Sequence, residues 1–147
     1  MKLNELLIMT SAHNDYVDAY DEYGVRLGDG FLDTIQAPVE LKEMVENENR
    51  NMHGKRVIIG SIRKQSRDLS LSFRLVASSR TVLSNNRKRF YDEVLYQSLI
   101  DIRLPKVTEE VFHLRYIGKN TTYGQNASGT SCMITAKFEE ANPAKRD

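Results

Sequence analysis

Cysteine is almost absent from this chain of 147 residues, and the single Cys132 excludes an intrachain disulfide and any cysteine-built zinc cage within one chain. A reducing compartment is the natural setting for such a composition. An excess of either charge is missing too: 21 Lys+Arg stand against 20 Asp+Glu, a formal charge of +1, which argues against the basic surface of a dedicated nucleic-acid binder. Long apolar runs are lacking. Leu6-Leu-Ile-Met9 is only four residues, set behind Glu5, too short for a signal-peptide core or a membrane span. The expectation is a soluble cytoplasmic protein with no membrane partner. The glycosylation-type triplets Asn120-Thr-Thr122 and Asn126-Ala-Ser128 then read as turn chemistry.

Catalytic patterns are missing as well. His13 lies in a turn-like stretch, His53 precedes Gly54 and His113 falls on the solvent side of an alternating run, with no pair at metal-ligand spacing. Gly24, Gly28 and Gly30 are not followed by the Lys-Ser/Thr of a phosphate-binding loop, and the acids from Asp15 to Asp33 lack the ligand spacing of a calcium loop. Cys132 shares the side of Ile134 and Phe138, which makes it a buried structural thiol. The chain is expected to have no catalytic residue, cofactor, metal or small-molecule ligand.

What is present is alternation. In Arg67-Asp-Leu-Ser-Leu-Ser-Phe-Arg-Leu-Val76, Leu69, Leu71, Phe73 and Leu75 share one face of a strand; Asp68, Ser70, Ser72 and Arg74 share the other. The same pattern returns with Cys132, Ile134, Ala136 and Phe138 set against Ser131, Met133, Thr135, Lys137 and Glu139. Ile100, Ile102 and Leu104 alternate up to Pro105, and Phe112, Leu114 and Tyr116 alternate up to Gly118, which predicts a hairpin. Between these runs, Ser84 is placed to cap a helix over about 85–98, with Phe90, Tyr91, Val94, Leu95 and Leu99 as its buried stripe. Arg87, Lys88 and Arg89 then sit near its positive end, where the dipole disfavours them.

The first third is less regular. Leu6 to Met9 fits a short strand or the start of a helix, and Val25-Arg-Leu27 a short strand closed by Gly28-Asp-Gly30. Val39 to His53 is a helix candidate or an exposed charged arm, and Lys55 to Ile59 a strand. Gly118 to Gly129 reads as a polar twelve-residue loop, of the sort that is functional or disordered until docked. The chain is thus expected to be one domain over residues 1–147, with an arm at about 40–53 and a loop at 118–129. A domain of this size buries roughly 70% of its unfolded surface.

The fold class that follows from these runs is α+β, mainly β, with antiparallel strands and one helix at about 85–98. Short basic clusters admit two readings, a solvated face or pairing with acidic stretches on another copy of the chain. The second makes Glu40, Glu43, Glu46, Glu48 and Arg50 of the arm and Arg87, Lys88 and Arg89 of the helix candidates for subunit contacts, to which the polar loop adds Asn120, Tyr123 and Asn126. A rival class is a monomeric β-rich adaptor that binds a protein partner through Tyr16, Tyr20 and Tyr23, since aromatics favour interfaces.

Tyr23-Gly-Val-Arg-Leu27, Ala37-Pro-Val-Glu-Leu-Lys42, Val45-Glu-Asn47, His53-Gly-Lys-Arg-Val57 and the ending Ile134-Thr-Ala-Lys-Phe-Glu-Glu-Ala-Asn-Pro143 run through most of the chain. In that succession it resembles small tail proteins of tailed bacteriophages and prophages, the tail-tube and distal-tail group. The resemblance implies a β-sandwich or half-open barrel with one helix on its flank. It also implies a virion structural role, no enzymatic activity, and subunits that close into a ring, commonly hexameric. Partners would be copies of the chain and other tail proteins. The length fits the compact core of such a protein without added modules.

Overall fold

The computed structural model describes residues 2–39 and 66–147, together with the backbone of 46–47 and 56–57. Its centre is the pair that the alternation predicts. Strands β6 (Arg67–Val76) and β10 (Ser131–Glu140) run antiparallel over all ten residues, from Ser131 opposite Val76 to Glu140 opposite Arg67. Leu69, Leu71, Phe73 and Leu75 of β6 are buried with Cys132, Ile134, Ala136 and Phe138 of β10, so one face of the sheet forms the core. The opposite face is polar, and there the Ser72 and Thr135 hydroxyls meet at 2.8 Å.

Shorter strands extend the sheet on both sides. They are β1 (Leu7–Met9), β2 (Val17–Asp18), β3 (Val25–Leu27), β7 (Ile100–Arg103), β8 (Val111–Tyr116) and β9 (Thr122–Gln125). The order is β2-β1-β7-β8-β10-β6-β3, with β9 beside β10, every pairing antiparallel. The result is an antiparallel half-barrel, the expected fold class. The β7–β8 hairpin forms as read, and the segment at Leu7 to Met9 settles as a strand. Two more short strands, β4 (Glu46–Asn47) and β5 (Arg56–Val57), pair only with each other among the described residues. The rest of the expected arm, including Glu40, Glu43, Glu48 and Arg50, lies outside the described residues.

Among the described residues, three helices cover the core face instead of one. Helix α1 (Ala19–Tyr23) starts where the Asp18 carboxylate accepts from the amides of Tyr20 and Asp21, and ends at Gly24 with φ +70°. A side chain there would be strained and would place Cβ 2.4 Å from the Val76 carbonyl oxygen, so glycine is required. Helix α2 (Phe31–Gln36) buries Phe31 and Ile35.

Helix α3 (Arg80–Phe90) begins five residues before the predicted start. Ser79, not Ser84, is its cap, accepting from the Val82 amide at 3.2 Å; the β-branched Thr81 and Val82 in the first turn hide that start from propensity. Arg87, Lys88 and Arg89 therefore occupy the last α-helical turn, where the dipole favours cations, the reverse of the expectation. The helix then widens into a π-turn, Tyr91–Leu95, closed by the Tyr96 amide on the Tyr91 carbonyl at 2.9 Å. The wider turn shifts the phase of the stripe: Val94 and Leu95 remain buried, while Leu99, expected inside, lies beyond the helix and is 53% exposed.

The polar loop at 118–129 is also corrected. Four of its residues form β9, in register with β10 from Thr122 opposite Thr135 to Gln125 opposite Cys132. On the same side of β10, β8 ends with Tyr116 opposite Phe138, so residues 117–121 bulge out between two strands that share one edge. All four residues of β9 are exposed and lack apolar alternation, which is why the sequence shows no strand there.

Candidate subunit interface

Three strands border the sheet. Among the described residues, β9 pairs only with β10, β3 only with β6 and β2 only with β1. Each leaves a row of backbone groups with no strand on its outer side, and such edges are templates for another chain. Of the three, β9 itself carries an exposed aromatic residue, Tyr123.

Tyr123 of β9 lies opposite Ile134 and so points to the helix side, where it is still 44% exposed. The Arg87 guanidinium sits between two rings, 5.7 Å from the centroid of Tyr123 and 5.6 Å from that of Tyr91. Tyr91, Tyr96, Tyr116 and Phe138 then follow at successive centroid distances of 6.2, 6.1 and 5.9 Å, running from solvent into the core. Tyr96 is 64% exposed and Leu99 lies close to it in sequence. Tyrosine and arginine on a partly apolar surface make up the composition of interface hot spots. Beneath them burial pushes the Cys132 thiol up, which keeps it a neutral packing group as the sequence indicated.

The structure sorts the expected contact residues. Arg87 and Tyr123, taken from separate segments, meet on one surface. Lys88 and Asn120 are exposed, Asn120 with φ +57° in the bulge. Asn126 has work inside its own chain: its Oδ1 accepts from the amides of Thr130 and Ser131 at 3.0 and 3.1 Å and shapes the β9–β10 turn. Arg89 likewise pairs within its chain, with Glu93 Oε2 at 3.0 Å, with the Glu22 carboxylate, and with the Glu22 carbonyl at 3.1 Å. Glu46 lies in β4, and its side chain is outside the description.

The Arg89 network was not legible in sequence. His13 Nε2 lies 2.6 Å from the Tyr23 hydroxyl and 3.5 Å from Glu93 Oε1, so the histidine read as solitary has partners from α1 and the π-turn. His13, Glu22 and Glu93 bring three possible metal donors within 4.8 Å of one another. Arg89 already stands against both carboxylates, in the place a cation would take, and the set reads as an ion-pair network that ties α1 to α3. Tyr23 is fully buried in it, and its hydroxyl is pushed well up, first by burial and then by the charge of Glu93. A fully buried Tyr23 removes one of the three aromatics on which the adaptor reading rests.

No protein-family model matches the chain, and no curated protein matches it. Solved structures do. The chain is similar to the Dit protein of phage SPP1, described as a paradigm of the hub adsorption apparatus in phages that infect Gram-positive hosts. The TM-score is 0.52 at 16% identity, over 94% of this chain and 50% of that one. This chain therefore spans about half the length of that protein, and the likeness shows a shared fold. A looser overlap, TM-score 0.41 at 13% identity, relates 97% of the chain to 95% of a protein from the tail of an empty GTA particle with C6 symmetry.

Proposed function

We propose that this chain is a structural, non-enzymatic component of a phage tail, encoded by a prophage, which assembles with copies of itself into a ring at the tail tube or its distal end. The observation that carries the reading is the half-barrel shared with a phage hub protein along 94% of the chain. The open edge of β9, flanked by Arg87 and the tyrosines, supports it by offering backbone groups and hot-spot side chains on one surface. A head-to-tail contact whose rotation closes satisfies such edges without runaway growth. The mechanism is geometric: strands continue from subunit to subunit, and neighbouring tail proteins stack on the ring. Assembly in the host cytoplasm is followed by residence in the virion tail.

Paired variants test which residues serve assembly. Arg87→Glu with Tyr123→Ala is expected to lower the assembled fraction several-fold in size-exclusion chromatography with light scattering, while moving the melting temperature by no more than about 3 °C. Arg89→Glu sets a third carboxylate against Glu22 and Glu93. It is expected to lower the melting temperature by about 3 °C or more, with loss of assembly only in proportion. Unchanged assembly in the Arg87/Tyr123 variant would remove the β9 surface from the interface.

A further inference from the structure

We propose that residues 141–147 form a pH-sensitive strap along β8, held at residue 147 by His113 while both ring nitrogens carry a proton and loosened there when one is lost. β10 stops at Glu140, and the chain then turns, with the Lys145 amide donating to the Asn142 carbonyl at 3.0 Å and Pro143 buried. The end lies back along β8. The Val111 amide donates to the Arg146 carbonyl at 2.8 Å, and the Arg146 guanidinium stands 4.9 Å from the centroid of the Phe112 ring.

His113 joins this strap to the hairpin. Its Nδ1 lies 2.6 Å from Asp101 Oδ1, directly across the β7–β8 ladder, and its Nε2 lies 3.1 Å from the Asp147 carbonyl oxygen. Both ring nitrogens thus face oxygen acceptors. Only the imidazolium can donate to both; a neutral ring must turn one lone pair toward an oxygen. The Asp101 contact is the shorter, 2.6 Å against 3.1 Å, so a remaining single proton stays on Nδ1 and the bond to the strap is the one lost.

The charged neighbours are consistent with that order. β7 supplies Asp101 and Arg103, the latter lying over the Tyr16 ring at 5.3 Å. β1 sets the uncharged Met9 opposite Asp101. On β8, Arg115 pairs with Glu139 of β10 at 3.1 Å, and on the strap Arg146 pairs with Glu140 and Glu110. Burial works against the charged imidazole, yet the Asp101 hydrogen bond, the Asp147 carbonyl and both aspartate charges outweigh it and hold the His113 pKa above its ordinary value. A raised folded-state pKa gives a contribution fully present below about 6.5 and lost as pH rises through the higher value. The contacts of Arg146 with Glu140 and Glu110 do not involve the imidazole, so the strap is loosened at residue 147 and keeps its hold at Arg146. Loss of the hold at residue 147 weakens the adjoining bond from the Val111 amide to the Arg146 carbonyl, so that amide opens more often.

The test follows amide exchange at Val111, expressed as protection relative to the unstructured amide at each pH, together with the His113 ring titration by NMR. Protection is expected to fall by about threefold or more between pH 5.5 and 8.5 in the native chain, in step with the ring titration. His113→Gln is expected to abolish the pH dependence, and Asp101→Asn to move it to lower pH. A ring pKa at or below 6.5 overturns the proposal, as does a Val111 profile that is flat in the native chain or unchanged in His113→Gln. Should His113→Gln not fold, the ring titration of the native chain decides the matter alone.

Discussion

Replacing Phe73 by alanine is expected to cost about 3–5 kcal/mol of folding stability, the range for deleting a phenylalanine from a core that cannot collapse around the void. Phe73 sits where every layer meets. Its ring lies 5.4 Å from Phe31 of α2, 5.3 Å from Phe90 of α3 and 5.9 Å from Phe138 of β10, all fully buried. Edge-on and tilted rings at these separations add a geometric preference to the area each one buries. A loss of this size is a large part of the 5–15 kcal/mol typical of a whole domain. Phe73→Leu, which keeps most of the volume, should cost less than half as much. Urea titration followed by circular dichroism measures both, and a cost under 1 kcal/mol for the alanine variant would show that the four rings are not the hub of the core.

Glu140 is expected to be as costly for a different reason. Its carboxylate is 1% exposed and receives Arg67 Nε at 2.7 Å and Arg146 Nε and Nη2 at 2.9 Å each. The same Arg67 fork donates to carbonyl oxygens at the end of α2, Ile35 at 2.8 Å and Ala37 at 3.2 Å, so one carboxylate anchors β6, α2 and the segment after β10 together. Glu140→Ala leaves two guanidinium groups with little water around them and should destabilise by about 3–5 kcal/mol. The sign is specific to removing one member. Replacing all three residues by packed apolar side chains should restore part of the loss, because the native trio had already given up its hydration. Chemical denaturation at low and at 1 M salt distinguishes this from a surface pair, whose small contribution salt screens. A Glu140→Ala cost below 1 kcal/mol would contradict the buried network.

These two residues mark how far the sequence could be read. Phe73 was legible because strict alternation assigns a face to every residue of β6. The same rule, carried two residues past Phe138, puts Glu140 on the inner face. What it does not give is the partner: Arg67 lies opposite Glu140 only once the β6–β10 register is fixed, and Arg146 arrives from the chain end. Contacts of that range have no local signature. Strand β9 was hidden because Thr122 to Gln125 are exposed and pair on one side only, so nothing selects an apolar alternation. The π-turn hid Leu99 by breaking the helical period on which its burial was inferred. Of the candidate contact residues, Arg87 and Tyr123 stand in separate segments, and their meeting on one surface needed the fold; Arg89 carries a charge that its own chain engages.

The central claim is self-association, and the measurement that tests it most directly is the mass in solution by light scattering across a concentration series, at low and at moderate salt. The account predicts a mass that rises with concentration toward a closed multiple of the 16.9 kDa chain and then stops, as a ring requires. A mass fixed at one chain over the whole series, at both salt concentrations, would contradict it.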